Sequence, residues 1–122
     1  MAKDERLRKT ADFAEVYRRG KARACELVVL KVLPNGLERN RYGFVTSKRV
    51  GNAVVRNRVK RLLREVTRTV PAERGWDMVF IARERAAAAD YHQMAEAVRG
   101  LMRRAHVLAG EGEDKGVGKT QG

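Results

Sequence analysis

Cysteine and histidine are nearly missing from this sequence. Cys25 stands alone, so no internal disulfide and no cysteine-built zinc site can form. It lies at the edge of an apolar run and reads as a small packing residue. His92 and His106 are too few for a histidine-built metal or catalytic centre. No apolar stretch approaches the ~20 residues of a membrane-spanning helix, which places an anionic membrane surface behind nucleic acid as a partner. The opening Met1-Ala2-Lys3-Asp4-Glu5-Arg6 is polar where a secretory signal would turn apolar, so the chain reads as cytoplasmic. Acid is scarce as well: 15 Asp and Glu face 27 Lys and Arg, a net charge of +12 and a pI near 10.7. Hydrophobic residues, at 43% of 122, suffice for one folded domain with a single modest core.

The shortage of acid is most pronounced from Ser47 to Arg64. Lys48, Arg49, Arg56, Arg58, Lys60, Arg61 and Arg64 fall in this stretch with no carboxylate among them. Val55, Val59, Leu62, Val66 and Val70 recur at helical spacing. At about 100° per residue these apolar positions share one sector. Arg56, Asn57, Lys60, Arg64 and Arg68 fall opposite it, with Arg58 and Arg61 towards the edge. Gly51-Asn52 marks the start, the asparagine able to cap the first free amides. A solvated charged face normally mixes signs into spaced ion pairs. Here like charges repel across every turn, a pattern that a polyanion relieves, and the helix reads as the electrostatic footprint of a nucleic acid.

Elsewhere the patterns predict helix, two or three strands, helix, strand, helix: an α+β sandwich. Residues 1–9 read as basic and irregular. A first helix starts at Thr10 or Asp12, either able to cap it, and ends at Arg18-Arg19-Gly20 with Gly20 as the C′ glycine. Phe13 and Tyr17, four apart, share a face, and are either core or a stacking platform for unpaired bases. A short edge strand over residues 21–25 precedes the β-rich run Glu26 to Leu33, which Pro34-Asn35-Gly36 closes with a turn. Arg41 to Ser47 follows as a strand antiparallel to it. Pro71 stops the basic helix at about Val70, and Trp76 to Ala82 is the continuous apolar run of a strand covered on both faces. Strand, helix and strand over 41–82 form a crossover if the strands are parallel, which base rates make right-handed. Asp90 is a cap for a last helix carrying Tyr91, Met94, Ala95, Val98, Leu101 and Met102. The domain is thus residues 1–108; residues 109–122, with Val117 their one sizeable apolar side chain, read as a disordered tail.

Arg56-Asn57-Arg58-Val59-Lys60-Arg61, preceded by Gly51-Asn52-Ala53-Val54, resembles the RNR signature of the bacterial ribonuclease P protein subunit family. Arg6-Leu7, Asp12-Phe13, Val16-Tyr17, Gly20, Gly43-Phe44 and Ile81-Ala82-Arg83 agree with it, so the resemblance spans about residues 6–108. It implies a two-layer αβββαβα sandwich of the ribosomal protein S5 domain 2-like kind, with a left-handed strand–helix–strand crossover against the base rate. It also implies that the RNR helix contacts the catalytic RNA of the enzyme through Arg56, Asn57, Arg58, Lys60, Arg61 and Arg64. A cleft between the first helix and the sheet would hold the single-stranded 5′ leader of precursor tRNA, on Phe13, Tyr17, Lys31, Ser47 and Lys48. Tyr17 stands where the family often has phenylalanine. Lys31 stands where an aromatic can occur, exchanging a stacking face for a phosphate contact.

No nucleophile, base or metal cluster suited to hydrolysis is evident in the sequence. In the resembled family the RNA subunit carries the active site and binds the Mg2+ ions, and the protein supports endonucleolytic removal of the leader. Ribonuclease P RNA and precursor tRNA are the implied partners, with no obligate protein partner. Two rival readings are a structural ribosomal-type RNA-binding protein and a DNA-binding module whose basic helix enters a major groove.

Overall fold

The structure, a computed structural model, describes residues 4–110. Its elements are β1 (Glu5–Arg6), α1 (Thr10–Arg19), β2 (Lys21–Ala24), β3 (Val28–Pro34), β4 (Arg41–Val45), α2 (Ala53–Thr69), β5 (Trp76–Ala82), a 3-10 turn (Glu84–Ala88) and α3 (Tyr91–Arg104). The expected αβββαβα order is present. It is preceded by a two-residue strand in the segment that the sequence left irregular, and Leu7, just after it, is buried.

The five strands lie in the order β1-β4-β5-β3-β2. β5 is central, parallel to β4 and antiparallel to β3. β3 and β4 therefore run in opposite directions, as expected of the sequence pair, but they do not pair with each other. The apolar run of β5 needs cover on both faces and takes the middle, and the shorter β4, which opens on Arg41, is moved outward. Asn35 N–H, in the turn after β3, accordingly bonds to Gly75 O at the entry to β5 (2.9 Å) rather than closing a hairpin onto β4.

One sheet face carries Val28, Leu30, Val32, Tyr42, Phe44, Met78 and Phe80 and packs on α2 and α3 to form the main core. The opposite face carries Val79 with half-buried Leu33, Val45 and Ile81, and is covered only in part by α1 through Val16. Alternation along each strand sends neighbours to opposite faces, so one chain feeds both cores.

Local chemistry sets the helix ends, with two departures from expectation. Asn52 accepts from Val55 N–H (3.0 Å), and Asp90 forms a capping box with Gln93. The N-cap of α1, however, is Lys9 with no side-chain bond, because the helix begins at Thr10 and places both Thr10 and Asp12 inside it. Gly20 is extended (φ −74°), not left-handed. Glycine is needed there for space: a Cβ would lie 2.5 Å from Val16 O and 3.0 Å from Val32 O. At the far end Ala109 N–H bonds to Pro71 O (3.1 Å), while residues 111–122 of the expected tail lie outside the described residues.

Candidate nucleic-acid interface

Two basic regions flank the sheet. The first lies on the half-covered face, beside α1. Phe13 and Tyr17 project from one side of α1, their ring centroids 6.3 Å apart. The Phe13 ring rests on β4 at Gly43, where an added Cβ would come within 2.6 Å of Cε1 and 2.7 Å of Cζ. Glycine in this strand is thus a seat for the ring. Tyr17, one turn further, keeps 42% of its surface exposed. Phe13 thus packs against the sheet as a core residue, while Tyr17 keeps one ring face open to solvent. Lys31 of β3 joins them, its Nζ donating to Tyr17 O (3.2 Å) and standing 5.6 Å from the ring centroid. Lys31, for which a phosphate contact is expected, has an internal task here: it holds the end of α1 and sets its ammonium beside the Tyr17 ring. Ser47 and Lys48 lie in the exposed turn after β4, where Ser47 Oγ accepts from Arg49 N–H (3.2 Å). Val45, two residues earlier, lines the same sheet face as Phe13.

An ion network that sequence reading did not identify fixes α1 over this face. Asp77 is 4% exposed inside the otherwise apolar β5. Arg41 clasps it through Nε (2.8 Å) and a terminal nitrogen (2.7 Å), and reaches Asp12 of α1 with the other (3.3 Å). Asn35 Nδ2 adds a third donor to Asp77 (3.0 Å). The hydrogen bond to Asp77 raises the Arg41 pKa above its ordinary value. The signal was a lone carboxylate within a strand of apolar residues, which needs a partner to be buried at all.

The second region is α2. Its buried side is Val59, Leu63, Val66 and Thr67, with Leu62 only half-buried. The helix is wedged against β4, α3 and the 3-10 turn, so its buried arc is rotated from the valine stripe towards Leu63 and Thr67. This corrects the expected layout of the cations. Arg56, Lys60 and Arg64 are half-buried along the flank, whereas Asn57, Arg58 and Arg61 are the exposed ones. Arg58 donates to Ala87 O and so also braces the 3-10 turn. Nε of Arg56 is buried with no hydrogen-bond partner among the described residues, as is Thr46 Oγ1 at the end of β4. None of Arg56, Arg58, Lys60, Arg61 and Arg64 forms an ion pair with a described residue; the ion pairs gather elsewhere, as at Arg18–Glu15 and Arg39–Glu5. A set of like charges left without carboxylates presents its full field to solvent.

Among the described residues, no group of three or more His, Cys, Asp and Glu is arranged to hold a metal, and no helix is long and apolar enough to cross a membrane.

The family described as ribonuclease P matches residues 1–106. The ribonuclease P protein component of Dehalococcoides mccartyi (strain CBDB1) is 44% identical over 109 residues, covering 89% of this chain and 91% of that protein. That of Caldanaerobacter subterraneus subsp. tengcongensis is 44% identical over 101 residues, covering 81% and 87%. Among solved structures, the Staphylococcus aureus RNase P protein superposes with a TM-score of 0.76 at 30% identity, over 84% of this chain and 96% of that one. The Thermotoga maritima protein gives 0.73 at 31%, over 81% and 96%. Sequence and fold agree along nearly the whole of the described domain, and the chain belongs to the ribonuclease P protein family, the protein subunits of a ribonucleoprotein nuclease of tRNA processing.

Proposed function

We propose that this protein binds the catalytic RNA of ribonuclease P through α2 and the single-stranded 5′ leader of precursor tRNA through the α1 cleft. In this reading it supports endonucleolytic removal of the leader, while the chemistry belongs to the RNA. The observation that carries the leader site is the Phe13–Tyr17–Lys31 cluster: a ring seated on Gly43, a second ring left open, and a cation against it. A stacked base gains about 1–3 kcal/mol on such a ledge with little sequence preference. The leader is present in the precursor and absent from the product, so its binding favours substrate over product. On the other side, Arg56, Asn57, Arg58, Lys60, Arg61 and Arg64 neutralise phosphates of the RNA subunit and release counterions. The orphaned Nε of Arg56 supports this, because a buried unmade donor costs about 1–3 kcal/mol until an acceptor arrives.

Magnesium stays with the RNA in this proposal. No protein-held ion enters the reading.

The test is cleavage of a leader-bearing precursor tRNA by ribonuclease P RNA at low magnesium, with and without the protein. Restored cleavage at the mature 5′ end is expected. Binding of the RNA without restored cleavage would instead favour the ribosomal-type reading. Phe13→Ala separates the two surfaces: precursor affinity falls while affinity for mature tRNA holds, and equal losses would remove the leader site from α1.

A further inference from the structure

On the sheet face opposite the leader cleft, a cavity of about 880 Å³ opens between α2 and the edge of the sheet. Tyr42 and Phe44 of β4 form its floor, and Arg6, Arg64, Arg68 and Arg74 stand around it. We infer that this groove holds an unpaired nucleotide of the RNA subunit, its base against the Tyr42–Phe44 pair and its phosphates on the arginines. The inference rests on the proposed binding of that RNA, and adds that α2 reads a single-stranded element along its inner flank.

Four observations converge on a nucleotide. The first is the floor: Tyr42 and Phe44 are nearly parallel (3°), 6.4 Å between centroids, and both are half-buried. They pack on Phe80 from behind and leave an aromatic margin towards the cavity. The second is charge. None of the four arginines forms an ion pair with a described residue. The acids at the rim are already engaged, Glu5 with Arg39 (3.1 Å) and Asp4 with Asn40 N–H (3.1 Å). An apolar floor with a cationic rim matches a base joined to phosphates, whereas an apolar peptide or an acyl chain would leave the arginines unanswered.

The third observation is the open edge. β1 pairs with β4 only at Arg41 and Tyr42, and Leu7 N–H makes the last bond, to Tyr42 O (2.8 Å). Backbone groups alternate sides along a strand, so the N–H and C=O of Phe44 point the same way as those of Tyr42, beyond the end of β1. Among the described residues no bond to them is found on that side, which leaves a donor and an acceptor that a base edge can meet. The fourth is the continuation of the flank. Arg64, Lys60 and Arg56 follow one another at four-residue steps along α2, and Thr46 stands just past the end of β4, two residues after Phe44. Arg56 Nε and Thr46 Oγ1 are two of the three buried side-chain polar atoms without a hydrogen-bond partner among the described residues, the third being Arg39 Nε. A strand of RNA laid along the flank supplies acceptors there and a base at the floor. Burial pushes the Tyr42 phenol up to about 12, so it remains a neutral donor at any working pH.

The test uses the assembled ribonucleoprotein. Zero-length ultraviolet crosslinking of the wild-type protein to ribonuclease P RNA, read by mass spectrometry, is expected to attach a nucleotide to the peptide carrying Tyr42 and Phe44. The adduct should form without precursor tRNA and map to an unpaired position of the RNA subunit. In parallel, the double variant Arg6→Gln/Arg74→Gln alters two exposed residues outside the RNR segment and the leader cleft. It should weaken binding of the RNA subunit and lower the slope of log K against log salt by about 1 per arginine, leaving the precursor-to-mature affinity ratio unchanged. Adducts that map to precursor tRNA, or only to a paired helix, would overturn the assignment. So would the absence of an adduct together with an unchanged salt slope, provided the wild-type protein still restores cleavage. Failure of the wild-type protein to restore cleavage strikes the proposed subunit role instead.

Discussion

Gly43→Ala probes how the proposed leader cleft is built without touching a charge or an aromatic residue. The added methyl would lie 2.6–2.7 Å from two carbons of the Phe13 ring. Carbon–carbon contacts are optimal near 3.5–4.0 Å, so the ring must retreat by roughly 1 Å. β4 cannot yield instead, because it is held in register between β1 and the central strand β5. Overpacking of this kind costs about 1–3 kcal/mol, which lowers the Tm by several degrees in a domain of this size. The functional effect is expected to be larger. If Phe13 leaves its seat, the ledge it forms with Tyr17 is lost, and up to one stacked base's worth of affinity, about 1–3 kcal/mol or roughly 5- to 150-fold, disappears from precursor binding. Equilibrium binding of precursor and mature tRNA to the reconstituted ribonucleoprotein reads this as a collapsed ratio, with binding of the RNA subunit unchanged. A double-mutant cycle completes the argument: in a Phe13→Ala background the same alanine at position 43 should have little further effect. An unchanged ratio and Tm in Gly43→Ala, or full additivity in the cycle, would refute the seat.

Three further outcomes follow from the geometry. Arg41→Met leaves the buried Asp77 without its main partner and should cost about 3–5 kcal/mol in denaturant unfolding; adding Asp77→Leu should recover most of it, and no recovery would mean that the clasp is not the cause. Lys31→Met removes the cation beside Tyr17 and should weaken precursor binding two- to fivefold, from about 0.5–1 kcal/mol of cation–π attraction, with Lys31→Arg retaining most of it; an equal loss for mature tRNA would contradict the role. Tyr42 supplies a pH dependence. Its folded pKa near 12 lies above the ordinary value near 10, so its contribution is complete below pH 10 and fades between pH 10 and 12 as the unfolded chain ionises first. Two units correspond to about 2–3 kcal/mol. Tyr42→Phe should flatten that part of the alkaline stability profile, and an identical slope in the variant would rule out Tyr42 as its source.

How much of this protein could be read from its sequence depends on the range of the interactions involved. The excess of cations, the helix over 53–69 with its Asn52 cap, the strand order along the chain and the doubly covered β5 follow from composition and from short-range periodicity. So does the RNR stretch, which is contiguous and points to a polyanion by charge alone. What the sequence could not place was decided across the sheet. Inserting β5 between β3 and β4 separated two strands that are consecutive in the chain. Wedging α2 against three neighbours turned its buried arc, so that Arg56 and Lys60 became flank residues and Arg58 and Arg61 the exposed ones. Gly20 and Gly43 look alike as letters, yet each is required because a particular backbone or ring lies within 3 Å of where a Cβ would be. Asp12, Arg41 and Asp77 are 29 and 36 residues apart along the chain and become one ion network only after folding. The partner class was thus set by charge, which adds up along a sequence. The shapes of the surfaces proposed to meet it were set by packing, which depends on which distant residues the fold brings into contact.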